Sequence, residues 1–135
     1  MAGSSTITAS NITVDGKVSR KVITIAWTGA AAGGAIDAIT VNAQTYGIEG
    51  WYLYSVETNP GTTAPTDDYD IVINDADGLD IAGGLLANRD SSVTEMVNLR
   101  AAATGYPMVR GNLSVAISGN SVNSATGTII MTFVQ

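Results

Sequence analysis

Cysteine and histidine are both absent from the 135 residues. Without cysteine there is no disulfide framework, thiolate metal site or cysteine nucleophile. Without histidine, the commonest general base, the commonest transition-metal ligand and every Ser-His triad are excluded as well. Any catalysis would fall to carboxylates, lysine or tyrosine. Charge is also scarce, at 13% of residues against about a quarter in ordinary soluble proteins. Positive charge is the scarcer sign: six Lys and Arg stand against twelve Asp and Glu, giving a net charge of −6. A phosphate-neutralising surface, and with it nucleic-acid binding, is therefore not expected. No apolar run approaches the roughly 20 residues of a membrane span, and the opening MAGSSTITAS lacks the basic and apolar regions of a secretory signal. The expectation is a soluble chain made in the cytoplasm, without membrane contact.

What is present is alternation. Tyr69, Ile71 and Ile73 fall on one face of a stretch whose other face carries Asp70, Val72 and Asn74, the period of a half-buried strand. Asp77-Gly78 follows and predicts a tight hairpin turn, with Leu79-Asp80-Ile81 returning as a partner strand. Ser4 to Val14 alternates around Ile7, Ile12 and Val14 and ends at Asp15-Gly16, a second hairpin signal. Lys17 to Thr28 then sets Ile23, Ile25 and Trp27 against Val22, Thr24 and Ala26. Gly29 to Gly34 is a loop, and Ile36 to Ala43 returns to alternation.

Gly47 to Thr58 is heavy on both faces, with Trp51, Leu53 and Ser55 one way and Tyr52, Tyr54 and Val56 the other. Asn59-Pro60-Gly61 to Pro65 reads as a break, because prolines lack the ladder donor. Val93 to Leu99 can form a strand with Val93, Met96 or Val97, and Leu99 inward, although its periodicity is indecisive; a short helical turn near Leu85 to Ala87 is also allowed, and Ala101 to Pro107 is a loop. Met108 to Ile117 and Thr126 to Val134 form a closing hairpin joined by Ser118 to Ser124. About eight or nine strands with turn signals between them predict an all-β fold, a single antiparallel β-sandwich or barrel-like domain. Residues 1–5 read as a flexible N-terminal arm and 6–135 as the domain. The expected core includes Ile23, Ile25, Trp27, Leu53, Ile71, Ile73, Val115, Ile117, Ile129, Met131 and Phe133.

The one cluster that resembles a site is acidic: Asp67, Asp68, Asp70, Asp75, Asp77 and Asp80 are half of the twelve carboxylates. Their spacing differs from a calcium loop of the EF-hand kind, whose glycine sits at position 6. Carboxylates clustered on turns of a small sandwich, which has little room for a deep cleft, are also a poor fit to paired-acid hydrolysis. No catalytic residue, metal ligand or cofactor site is assigned, and the acids read as turn formers left in solvent. Lys17, Arg20 and Lys21 hold half of the basic residues at one strand end.

The run Ala64-Pro-Thr-Asp-Asp-Tyr-Asp-Ile71, then Asp75-Ala-Asp77-Gly78-Leu-Asp80-Ile-Ala-Gly83-Gly84 and Ala87-Asn88-Arg89-Asp90, resembles a motif of small structural proteins of tailed bacteriophage virions. The Gly111 to Val115 strand, the Ser-Gly-Asn-Ser turn and Thr126-Gly127-Thr128 are similar to the same proteins, as is the Trp27 strand with its following loop. That resemblance implies a non-enzymatic virion protein on the head shell or neck. A capsid decoration or cement protein on the head surface fits best. Its expected partners are the major capsid protein and further copies of itself in a homotrimer, with Ser4, Ser5, Thr6, Tyr46, Tyr52 and Tyr54 as interface residues. A tail-tube or neck subunit is the virion alternative, and a carbohydrate-binding β-sandwich is the alternative from another class.

Overall fold

The computed structural model describes residues 3–99 and 106–135. Eight strands succeed one another: β1 (Ser4–Val14), β2 (Lys17–Thr28), β3 (Ile39–Val41), β4 (Tyr52–Pro60), β5 (Asp70–Asn74), β6 (Glu95–Asn98), β7 (Leu113–Ser118) and β8 (Thr126–Val134). They build two antiparallel sheets, one of five strands in the order β1-β2-β8-β4-β6 and one of three in the order β3-β7-β5. The fold is a β-sandwich, without barrel closure.

Alternation along each strand decides what lies between the sheets. In β8, Ile129, Met131 and Phe133 are buried while Ile130, Thr132 and Val134 are half-buried on the far side. In β2 the inward set is Ile23, Ile25 and Trp27. The smaller sheet answers with Ile39, Val41, Ile71, Ile73, Leu113, Val115 and Ile117. All eleven residues chosen from the sequence are buried in this core. In β6, Leu99 beyond its end and Val97 turn inward, whereas Met96 is 67% exposed and Val93 56%.

The first hairpin forms as expected: Asp15 (φ 51°) and Gly16 (φ 75°) both take left-handed backbone, and Val14 pairs with Lys17. Five other expectations need correcting. In β4 a bulge lies between Leu53 and Ser55, so Leu53 pairs with Phe133 and Ser55 with Thr132. The extra residue, Tyr54, reverses the alternation, and Val56 rather than Ser55 joins Leu53 in the core. The same strand runs through the supposed break to Pro60, which pairs with Gly127. Partner β6 reaches only Ser55 to Thr58, so Pro60 sits where β4 is paired on one side and its missing donor is not needed.

The strand expected over Ile36 to Ala43 shrinks to Ile39–Val41. Asn42 ends it, because its Oδ1 accepts from the amides of Gln44 (3.0 Å) and Thr45 (2.9 Å). The Asp77-Gly78 turn is wider than a two-residue hairpin. Asp75 Oδ1 accepts from Asp77 N (2.9 Å) and Leu79 N (3.0 Å), and the return strand is a single bridge between Asn74 and Asp80. Finally, Ser4 and Ser5, expected in a flexible arm, are paired in β1 with Thr28 and Trp27. Met1 and Ala2 lie outside the described residues, as do residues 101–105 of the expected 101–107 loop.

Candidate functional site

The acidic cluster is a scaffold for loops. Asp80 Oδ1 accepts from Ile73 N (3.2 Å) and Ala82 N (3.1 Å), and its Oδ2 from Gly84 N (2.8 Å). Asp70 Oδ1 accepts from Asn88 N (2.9 Å), and Asp67 Oδ1 from Ser91 N (3.2 Å). Asp90 Oδ1 takes Ser92 N, Ser92 Oγ and Val93 N, and these bonds hold its carboxyl below the usual carboxylate range. The expectation that these acids simply stay in solvent is thus corrected for Asp67, Asp70, Asp75 and Asp80. They satisfy amides of a segment that lies along the open side of β5, joined to it by Ile71 N to Leu86 O (3.0 Å) and Ile81 N to Ile73 O (2.8 Å). Beside this segment an open groove of about 430 Å³ is lined by Leu79, Ile81, Met108 and Arg110 with Asp75 and Asp80.

Under the same segment Tyr69 is fully buried, its ring 5.9 Å from that of Trp27. The Trp27 indole nitrogen has no hydrogen-bond partner among the described residues, and the Tyr69 hydroxyl is enclosed beside the buried Thr58. Burial pushes the Tyr69 phenol above its ordinary 10.0, and the nearby Arg89 guanidinium draws it partly back. A raised pKa means that the unfolded chain ionises first. The stability this group contributes is therefore whole below the unfolded value and declines as pH rises through the folded one. We expect the melting temperature to fall as pH rises above about 10, and Tyr69→Phe to flatten that slope. An unchanged slope in the variant would show that the alkaline sensitivity lies elsewhere.

The larger sheet presents its second face outward. It carries Thr6, Thr8, Ser10, Ile12 and Val14 from β1, Val22, Thr24 and Ala26 from β2, and Thr128, Ile130, Thr132 and Val134 from β8. Tyr52, Glu57 and Asn59 extend it across β4. Ser55 is the buried member of this face; the others named are half-buried or exposed. Among the described residues its charges are Lys17, Arg20 and Glu57, so most of the surface is threonine hydroxyl and branched aliphatic carbon.

At one end of this face the bulge turns Tyr54 into a cluster. The Arg20 guanidinium lies 5.9 Å from the Tyr54 ring centroid, and Tyr54 packs against Tyr106 at 5.1 Å. Nearby, Lys21 Nζ sits 5.1 Å from the Trp51 ring centroid. Each cation occupies an aromatic face, a favourable arrangement, and a sugar platform would need that face free. Of the expected interface residues, Ser4, Ser5 and Thr6 lie at the start of β1, and Tyr52 and Tyr54 lie on β4 about one strand length away. Tyr46 stands apart from both sets, half-buried against the core in the turn after β3. The structure thus places Tyr52 and Tyr54 on one strand, Ser4 to Thr6 together at the far end of β1, and Tyr46 apart from both. Sequence reading missed Tyr106, whose place beside Tyr54 depends on the bulge.

No family model matches the chain, and no curated protein matches it. Among solved structures it is similar to a chain of the Cyanophage Pam1 capsid asymmetric unit, with 16% sequence identity and a TM-score of 0.47 over 98% of this chain and 86% of that one. That likeness is too distant to assign a function.

Proposed function

We propose that this chain is a non-enzymatic structural component of a tailed-phage virion, a decoration or cement protein that lies against the head shell and stabilises it. The observation that carries this reading is the outward face of the five-stranded sheet. It is broad, poor in charge and rich in β-branched side chains, on a sandwich where Asp67, Asp70, Asp75, Asp80 and Asp90 hold its own loops. Such a face has little hydration to lose when it meets another protein, and aliphatic groups ringed by hydroxyls suit a protein surface better than a small ligand. The motif between Ala64 and Asp90 resembles phage virion proteins and supplies the shell as partner.

Shells stripped of this protein should bind it saturably in co-sedimentation and then withstand higher temperature, and the same protein should stay silent on a glycan array. Thr24→Glu combined with Ile130→Glu places two like charges on the face without touching the core, and should abolish shell binding with the β-sheet spectrum intact. Unchanged binding by that variant, or binding to tails alone, would overturn the assignment.

A further inference from the structure

Among the described strands, β1 is the one edge of the sandwich left without protection. A sheet edge exposes a row of unpaired amides and carbonyls, and proteins ordinarily blunt it with charge, proline, brevity or a covering segment. The other edges follow that rule. Along β5 runs the segment held by Asp70 and Asp80, and β3 has three residues. In the four-residue β6, Glu95 is tied to Arg89 at 3.2 Å. By contrast, β1 is eleven residues long, contains neither charge nor proline, and pairs on one side alone, with β2. All but Ile7 of its residues are exposed, and its single irregularity lies at Ile12/Thr13, near the turn.

We infer that the occupant of this edge is β1 of a second copy, paired antiparallel about a two-fold axis near Ala9 so that two larger sheets become one continuous sheet. Charge selects the partner. Copies with a net charge of −6 repel over most of their surface, but the β1–β2 hairpin carries one carboxylate, Asp15, against three cations, Lys17, Arg20 and Lys21. Because Ser4 to Val14 is uncharged, no antiparallel register of β1 on itself opposes like charges, a condition that disfavours most self-pairings. The ends are complementary as well. Antiparallel pairing brings the Lys17 end of each hairpin to the Ser4 end of its mate. There Gly3 N donates to Ala35 O (3.1 Å), anchoring the segment that leads to exposed Asp37. About Ala9, Thr8 opposes Ser10 of the mate, and exposed Ile12 opposes its Thr6. This is a two-fold contact in place of the three-fold closure expected from the sequence, and it does not depend on the shell assignment.

Sedimentation of the isolated chain tests it. A dimer is expected, and Thr8→Lys with Ser10→Lys, which sets lysines opposite one another across the axis, should raise its dissociation constant by at least about tenfold with an unchanged circular dichroism spectrum. Lys17→Glu should weaken the dimer and Asp37→Lys in the same chain should restore it. Since the chain lacks cysteine, Ala9→Cys supplies a single thiol that should oxidise to a covalent dimer, opposed strand positions having the Cα separation a disulfide needs. A monomer at every concentration, a trimer, a dimer indifferent to the two lysines, or an Ala9→Cys variant that never cross-links would each overturn the proposal. Shell binding is read separately, so either result can stand without the other.

Discussion

Replacing Trp27 by alanine is expected to lower the unfolding free energy by about 3–5 kcal/mol, the range for deleting a large buried aromatic. Trp27 is 1% exposed and joins the two sheets through Tyr69. The room it occupies was made by its neighbour in register. Trp27 pairs with Gly127, and a Cβ built at Gly127 would stand 2.7 Å from the indole. Gly127→Ala should therefore force the ring aside at a cost of about 1–3 kcal/mol. Two such residues sharing one volume are coupled: in the Trp27→Ala background, Gly127→Ala should cost almost nothing. Denaturant melts of the four proteins measure this directly. Additive losses would mean that the indole and the glycine do not share space.

Asn120→Ala is expected to cost about 2–4 kcal/mol, from roughly three hydrogen bonds at about 1 kcal/mol each plus the desolvation of groups left unpaired. Its Oδ1 accepts from Thr66 N (2.9 Å) and Val122 N (3.2 Å), and its Nδ2 donates to Gly34 O (2.9 Å). One side chain thereby ties together the loops after β2, before β5 and after β7. Asn120→Asp keeps the acceptor and loses the donor, so it should fall between wild type and alanine. Because the bonds lie at one end of the sandwich, hydrogen exchange should quicken in those three loops and stay slow in β8. Uniform loss of protection would indicate that Asn120 matters to the whole sheet instead.

Much of the sandwich was legible because its strands announce themselves one residue at a time. Ile71 and Ile73, or Ile129, Met131 and Phe133, declare their face through the pleat alone, and Asp15-Gly16 declares its turn through φ. What escaped reading depends on partners far away in sequence. The Tyr54 bulge exists because β4 must register with β8, and nothing between Trp51 and Thr58 marks the extra residue. The Asp80 carboxylate could be seen as acidic, but not as the acceptor for Ile73, Ala82 and Gly84 at once. Asn120 looked like a turn residue, which it is, while its bonds to Gly34 and Thr66 reach across 86 and 54 residues of sequence. Of the residues expected at an interface, Tyr52 and Tyr54 lie on β4, and Tyr46 lies elsewhere because a turn after β3 carries it away.

The central place of β8 also constrains how the chain reaches this state. Thr28 and Pro60 come together only through Thr126 and Gly127, which both must await. The ladders joining β2, β8 and β4 thus close loops of long sequence separation before any reward is gained, the topology that places all-β domains among slow folders, on the order of milliseconds to seconds. Until β8 docks, Ile23, Ile25, Leu53 and Val56 belong to strands without a common neighbour. During that interval the chain is most vulnerable to sticking to other unfolded chains. Faster synthesis or higher temperature should consequently reduce the soluble yield of this protein before either affects the stability of what has already folded.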